Sequence, residues 1–133
     1  MKLMITTALL LPLGSAWAIE TSPLEHLPLT RVVLGQEGYL ADQRGLSLYT
    51  FDKDPVGQSV CYDECARKWP PALAAREALK PEAVKAGFGL VERKDGGYQW
   101  SYRGKPLYRW FKDTAPGQSS GDGVLQVWHR VPL

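Results

Sequence analysis

The sequence predicts a mainly β fold: two pseudo-repeated β-hairpin units in a small sandwich or barrel, joined by a short helical linker. Three observations predict it. A block of the chain recurs 59 residues downstream of itself. Within each copy, apolar and polar residues alternate with the period of two that marks a strand buried on one face. Helix-forming composition is confined to the stretch between the copies.

The recurrence is the strongest of these. Gly38-Tyr39, Arg44-Gly45, Leu48-Tyr49, Phe51, Lys53-Asp54 and Gly57-Gln58-Ser59 are answered by Gly97-Tyr98, Arg103-Gly104, Leu107-Tyr108, Trp110 and Lys112-Asp113. After a one-residue insertion the second copy closes with Gly117-Gln118-Ser119. Eleven of about 22 positions are identical, where unrelated segments of this composition share about one or two. A repeat of this kind decides the fold before any single element is read.

The elements follow in order. Lys2, an apolar run from Leu3 to Leu13, the breakers Pro12 and Gly14, and Ala16-Trp17-Ala18 make a signal peptide over 1–18. That run is too short to cross a bilayer, which needs roughly 20 residues. An extended segment over 19–36 follows, with Leu29 to Leu34 as a first strand, and a single two-repeat β domain occupies 37–133. Repeat 1 covers about 37–71, the helical linker about 72–87 and repeat 2 about 88–133. The first hairpin runs Glu37 to Asp42, turns at Arg44-Gly45 and returns over Leu46 to Phe51. Glycine tolerates the positive φ of such a turn. Ser59 caps a short helix from Val60 to Lys68, stopped by Pro70-Pro71. Ala74 to Ala86 has helical composition broken by Pro81. Phe88 to Arg93 is a strand, Asp95-Gly96-Gly97 a turn, and Tyr98, Trp100 and Tyr102 one face of the next strand. Arg103-Gly104 turns the chain into a return strand from Pro106 to Phe111, and Gly123 to Val131 forms the last. About seven strands result.

Composition excludes several functions. Lys+Arg is 16 and Asp+Glu 14, so without Lys2 the count is 15 against 14, near neutral. No basic run suggests nucleic acid or an acidic membrane as partner. Phosphate loops, dinucleotide fingerprints and zinc-protease motifs are missing. With no cysteine before Cys61 no N-terminal lipid anchor is expected, no other apolar stretch is long enough for a membrane span, and the signal peptide predicts a periplasmic or secreted location.

Tyr49-x-Phe51-x-x-Asp54 and Tyr108-x-Trp110-x-x-Asp113 both fit the Tyr-x-aromatic-x-x-Asp signature of the bacterial secreted-repeat family, whose members are often described as predicted lipoproteins. The surroundings agree: Cys61-x-x-x-Cys65-Ala66, Trp69-Pro70-Pro71, Gly104-x-Pro106-Leu107-Tyr108 and Gly121-Asp122-Gly123. The chain resembles that family from about Gly38 to Trp128. The resemblance implies a cell-envelope location and a two-repeat layout, and it implies no activity. Many relatives are lipid-anchored, which the missing lipobox cysteine does not carry over.

Cys61 and Cys65 have three readings. An even cysteine count in an exported chain favours a disulfide, but residues i and i+4 of a regular helix stand about 5–6 Å apart at Cβ and a bridge wants about 3.5–4.5 Å. The bridge therefore needs Cys61 at the frayed start of the helix and Cys65 inside it. The alternatives are a soft-metal site, copper first, and a redox-active dithiol with Arg67 and Lys68 nearby. His26 and His129, the only histidines, are read as solvent-exposed and as an ordinary strand residue.

Tyr49, Phe51, Tyr108 and Trp110 are read chiefly as core, each aromatic burying about 150–250 Å². Trp69, Tyr98, Trp100, Tyr102 and Trp128 are the candidate aromatic surface for a sugar, a flat ligand or a peptide. Asp54 and Asp113 raise a paired-carboxylate hydrolase, against which each stands before a Gly-Gln-Ser where a turn aspartate bonds its own backbone. Ser59 and Ser119 lack a nucleophile elbow. No catalytic residue and no cofactor are expected. The leading functional expectation is a non-enzymatic envelope binding module for an unidentified ligand or protein. The alternative is a periplasmic copper-handling or thiol-redox protein acting through Cys61 and Cys65.

Overall fold

The computed structural model describes residues 29–34 and 37–133. The expected signal peptide over 1–18, His26 and the rest of the segment before Leu29 lie outside the described residues. Eight strands and two short helices follow in the order β1 (Leu29–Leu34), β2 (Glu37–Asp42), β3 (Tyr49–Phe51), α1 (Glu64–Lys68), β4 (Leu73–Ala74), α2 (Pro81–Lys85), β5 (Phe88–Glu92), β6 (Tyr98–Tyr102), β7 (Lys105–Pro106) and β8 (Trp128–Arg130). The fold is small and β-rich, and among the described residues no sheet closes into a barrel.

Each copy opens with an antiparallel hairpin, β1 on β2 in the first and β5 on β6 in the second. The turns at Gly45 and Gly104 both sit at φ 81°, a conformation that costs a residue with a Cβ but not glycine. Past those turns each copy pairs back on itself only briefly, β7 on β6 and Ser47 on Ala41, before crossing to the other copy. Tyr49 donates its backbone N–H to the Tyr108 carbonyl at 2.8 Å, and Tyr108 donates back to Tyr49 at 2.9 Å. β3 then pairs with β8 of the other copy, Phe51 opposite Trp128. The loops reciprocate as well: Gly57 N–H bonds the Gly104 carbonyl at 2.8 Å and Gly117 N–H bonds the Gly45 carbonyl at 3.3 Å. Such mutual contacts place a pseudo-twofold axis between Tyr49 and Tyr108.

Both cores straddle that axis. One gathers Leu40, Leu48, Ala72, Ala83, Phe88, Trp100, Leu107 and Val131. In it Leu48 and Leu107, and likewise Ala72 and Val131, are repeat equivalents. The second gathers Tyr49, Cys61, Trp69, Tyr108, Trp110 and Trp128, again with Tyr49/Tyr108 and Trp69/Trp128 as equivalents.

Several elements differ from expectation, each for a local reason. The return strands Leu46 to Phe51 and Pro106 to Phe111 shorten to β3 and β7, because their outer halves pair across the axis rather than within the hairpin. The helix expected from Val60 begins only at Glu64, since Asp63 holds φ 53° and ψ −120°. Ala74 to Ala86 splits into β4, a turn of 3₁₀ helix at Arg76–Ala78 and α2. The strand expected from Gly123 survives as β8 alone, because Leu125 and Gln126 both take positive φ. β6 was expected to be half-exposed, yet Gln99 and Ser101 are buried like Trp100. The strand is central in its sheet, and the Gln99 amide is satisfied there by donating to the Leu107 carbonyl at 2.7 Å.

Candidate functional site

Two features lie on the pseudo-twofold axis, a column of aromatic rings and a pair of tyrosine–aspartate contacts. The column runs Phe51, Trp128, Trp69, Trp110, with centroid spacings of 4.1, 3.8 and 4.1 Å. Its members alternate between the copies, so every stacking contact in it joins copy 1 to copy 2. Trp69 and Trp128 lie within 2° of parallel. Gly121 gives the column room, for a Cβ there would meet the Trp69 ring at 2.8 Å and the Trp110 ring at 2.9 Å.

The repeated Tyr and Asp of the signature meet across the axis. Tyr49 donates its hydroxyl to Asp113 Oδ2 at 2.5 Å, and Tyr108 donates to Asp54 Oδ2 at 2.6 Å. The second oxygen of each aspartate turns back to its own loop: Asp54 Oδ1 accepts the Val60 N–H at 2.8 Å, and Asp113 Oδ1 accepts the Ser120 N–H and hydroxyl at 3.0 and 2.7 Å. Since the one proton of Tyr108 goes to Asp54, the Ser59 hydroxyl, 2.7 Å away, donates to Tyr108. Ser59 in turn accepts from Arg93 Nη1 at 3.1 Å and from the Cys61 N–H at 3.3 Å.

Arg93 is a buried cation. Its guanidinium also reaches Gln99 Oε1 at 2.8 Å, the Cys61 carbonyl at 3.0 Å and Asp95 at 3.0 Å, and it lies 4.4 Å from the Tyr62 ring centroid. The hydrogen bond from Arg93 draws the exposed Asp95 below the ordinary carboxylate range. Burial pushes Asp54 above it, against the hydrogen bond from Tyr108 and the neighbouring charges of Lys105 and Arg93. Burial, reinforced by an aspartate acceptor, holds the Tyr49 and Tyr108 hydroxyls far above the ordinary phenol value.

Tyr49, Tyr108 and Trp110 are core residues and Phe51 is half-buried against them. Of the expected aromatic surface, Trp69, Trp100 and Trp128 are buried and Tyr98 and Tyr102 half-buried. Trp69 and Trp128 stack on each other across the axis and Trp100 packs in the other core, so the crossing of the copies covers most of the expected aromatic surface. Asp54 and Asp113 are 3% and 6% exposed, each committed to a tyrosine and to backbone, so neither faces an open cleft as a hydrolytic pair would. His129, on β8, stands 2.8 Å from Asp52. Cys61 and Cys65 form a disulfide, with Cys61 just ahead of α1 and Cys65 within it. The copper alternative therefore concerns the reduced pair. Sequence reasoning missed Arg93 and Gln99, since nothing in a strand-end Arg before Asp-Gly-Gly signals burial.

The two tyrosines make the fold sensitive to alkali. In the unfolded chain both ionise near pH 10, whereas the fold keeps their protons. Stability is therefore complete below that pH and falls as pH rises beyond it, by about 2.7 kcal/mol per unit for the two together. Titration from pH 9 to 12 is expected to show the tyrosinate absorbance of two residues only as near-UV circular dichroism collapses. Full tyrosinate amplitude ahead of that collapse would contradict the buried pairs.

A family model described as a secreted repeat of unknown function matches residues 32–73 and 89–131, one match for each copy. No curated protein and no solved structure matches the chain. No helix of the described residues is long and apolar enough to cross a membrane.

Proposed function

The chain belongs to this family of secreted repeats, and from that premise we propose that it is a non-enzymatic interaction module of the cell envelope, exported to the periplasm or beyond and needing no cofactor. The observation that carries the reading is the loop from Gly123 to Val127. Leu125 is 82% exposed at φ 51°, and Gln126 beside it holds φ 62°. Positive φ is unfavourable for both residue types, and residues held so cluster at binding and switch sites. Val124 and Val127 anchor the loop on the aromatic core, so the apolar tip is presented from a rigid base. The engagement of the repeated tyrosines and aspartates with one another supports the non-enzymatic half of the reading, since the signature then serves architecture.

The test separates binding from folding. Purified protein is mixed with isolated cell walls and, separately, with envelope membranes, and each is pelleted. Leu125→Asn keeps a residue that tolerates the left-handed conformation while removing the apolar contact. Burying one leucine is worth about 1.5–3 kcal/mol, so the variant is expected to bind about ten- to a hundredfold more weakly with an unchanged melting temperature. Failure of the unmodified protein to pellet with either fraction would overturn the proposal.

A further inference from the structure

The disulfide is present in copy 1 and has no counterpart in copy 2, where Gly121 and Leu125 stand at the matching positions. In copy 2 the chain from Ser119 to Trp128 closes the same loop that runs from Ser59 to Trp69 in copy 1. Ser120 caps Asp113 as Val60 caps Asp54. Gly121 stands where Cys61 does, and Gly123, at φ 84°, stands where Asp63 does, at φ 53°. Copy 2 thus holds its aspartate in the same way with no bridge, and with a glycine at φ 84° and ψ 1° in the equivalent place. Copy 1 puts an aspartate there, at φ 53° and ψ −120°, in a region that residues with a Cβ rarely enter. That residue lies inside the five-residue ring of Cys61, Tyr62, Asp63, Glu64 and Cys65. The bridge is not what the architecture requires, and its ring encloses a strained backbone.

The two sulfurs are also unequal. Cys61 is fully buried and Cys65 is half-exposed on α1. The Cys61 backbone is fixed independently of the bridge, its N–H by Ser59 and its carbonyl by the buried Arg93. Arg93 further holds the ring through Tyr62, whose hydroxyl accepts the Lys94 N–H at 3.0 Å. Opening the bond therefore leaves Cys61 in place and frees only the α1 side. An attacking thiolate can reach the half-exposed Cys65 sulfur, whereas the Cys61 sulfur is shut inside the aromatic core.

We propose that Cys61–Cys65 is a thiol–disulfide exchange site, reduced by a partner that carries a two-cysteine dithiol, with Cys65 the sulfur attacked. A thiolate of the partner forms a bond to Cys65 Sγ as the Cys61–Cys65 bond breaks, and Cys61 leaves as a thiolate and takes up a proton. The partner's second thiol, deprotonated, then attacks its own sulfur in the mixed disulfide and releases Cys65, which is protonated in turn. Two electrons and two protons pass to this chain, and the partner leaves as a disulfide. Reduction relaxes Asp63 and leaves the Asp54 bonds to Val60 and Tyr108 in place. This inference stands apart from the envelope-binding reading and survives its failure.

The probe is glutathione with the native, oxidised protein, free thiols being trapped by alkylation and located by peptide mass. The expected result is reversible reduction with the near-UV circular dichroism retained, and a glutathione adduct on Cys65. Asp63→Gly, which gives copy 1 the residue type of copy 2, removes the strain. It is expected to raise the [GSH]²/[GSSG] ratio at half-reduction about tenfold, the equivalent of one such backbone residue. A bond that opens only when urea unfolds the protein would overturn the proposal. So would an adduct on Cys61, or an Asp63→Gly midpoint equal to that of the parent.

Discussion

A chain ending at Gly87 is expected to remain unfolded, and so is its complement from Phe88 to Leu133, while an equimolar mixture of the two recovers the native circular dichroism. Each half holds a complete copy of the repeat by sequence. Neither holds a complete core. Without copy 2, β3 loses β8 and the Tyr49 backbone loses Tyr108. Trp69 then loses both of its column neighbours, Trp128 and Trp110. Both hydrophobic clusters lose about half their members at once. The complement is 46 residues long, near the size below which chains without staples seldom fold alone, and the one disulfide lies in the other half. Dispersed amide resonances from either fragment by itself would show that a copy is an autonomous unit, and would sink the shared-core description.

That interdependence marks the limit of what could be read from the sequence. The repeat, the β5–β6 hairpin and the glycine turns at Gly45 and Gly104 were legible because they are local, and local geometry writes itself into residue type at fixed spacing; the pairing of β1 with β2 was not read. The exchange of partners past Gly45 and Gly104 was not. The alternation in Leu46 to Phe51 says which side chains share a face but is silent on which strand lies alongside, and β8 of the other copy fits as well as β2. The same blindness produced the aromatic surface: Trp69 and Trp128 look exposed until they are stacked on each other across the axis. Asp54 and Asp113 were legible by half. One oxygen of each bonds its own loop, as turn aspartates do, while the other serves a tyrosine 54 or 64 residues away in sequence. Short-range errors had a different source. Asp63, Leu125 and Gln126 adopt positive φ although nothing in their chemistry asks for it, so the helix before Glu64 and the strand before Trp128 were overextended.

Tyr108→Phe is expected to cost more stability than Tyr49→Phe, although the two positions are repeat equivalents. Deleting the Tyr108 hydroxyl leaves the buried Asp54 carboxylate with the Val60 N–H as its remaining hydrogen-bond donor. Deleting that of Tyr49 leaves Asp113 with both the N–H and the hydroxyl of Ser120. Ser59 also loses its acceptor, at 2.7 Å, in the first case, within a cluster that holds the buried Arg93, whereas the second strands the Gly121 N–H from a longer contact of 3.3 Å. A hydrogen bond to a charged, buried group is worth about 1.5–3 kcal/mol, so Tyr108→Phe should lie near the top of that range and lower the melting temperature by about 10–15 °C. Tyr49→Phe should lie near the bottom. Protonation supplies a second signature. Burial already raises Asp54, and losing its tyrosine donor raises it further. The folded variant therefore takes up a proton that the unfolded chain, ionising near pH 4, does not hold. Its stability relative to the parent must improve as pH falls from neutrality through the raised value. Urea melts of both variants and the parent at pH 7 and pH 5 check the order and the trend together. Equal losses at the two tyrosines, or a Tyr108→Phe deficit that does not shrink at the lower pH, would mean that the carboxylate at Asp54 is not what the hydroxyl stabilises.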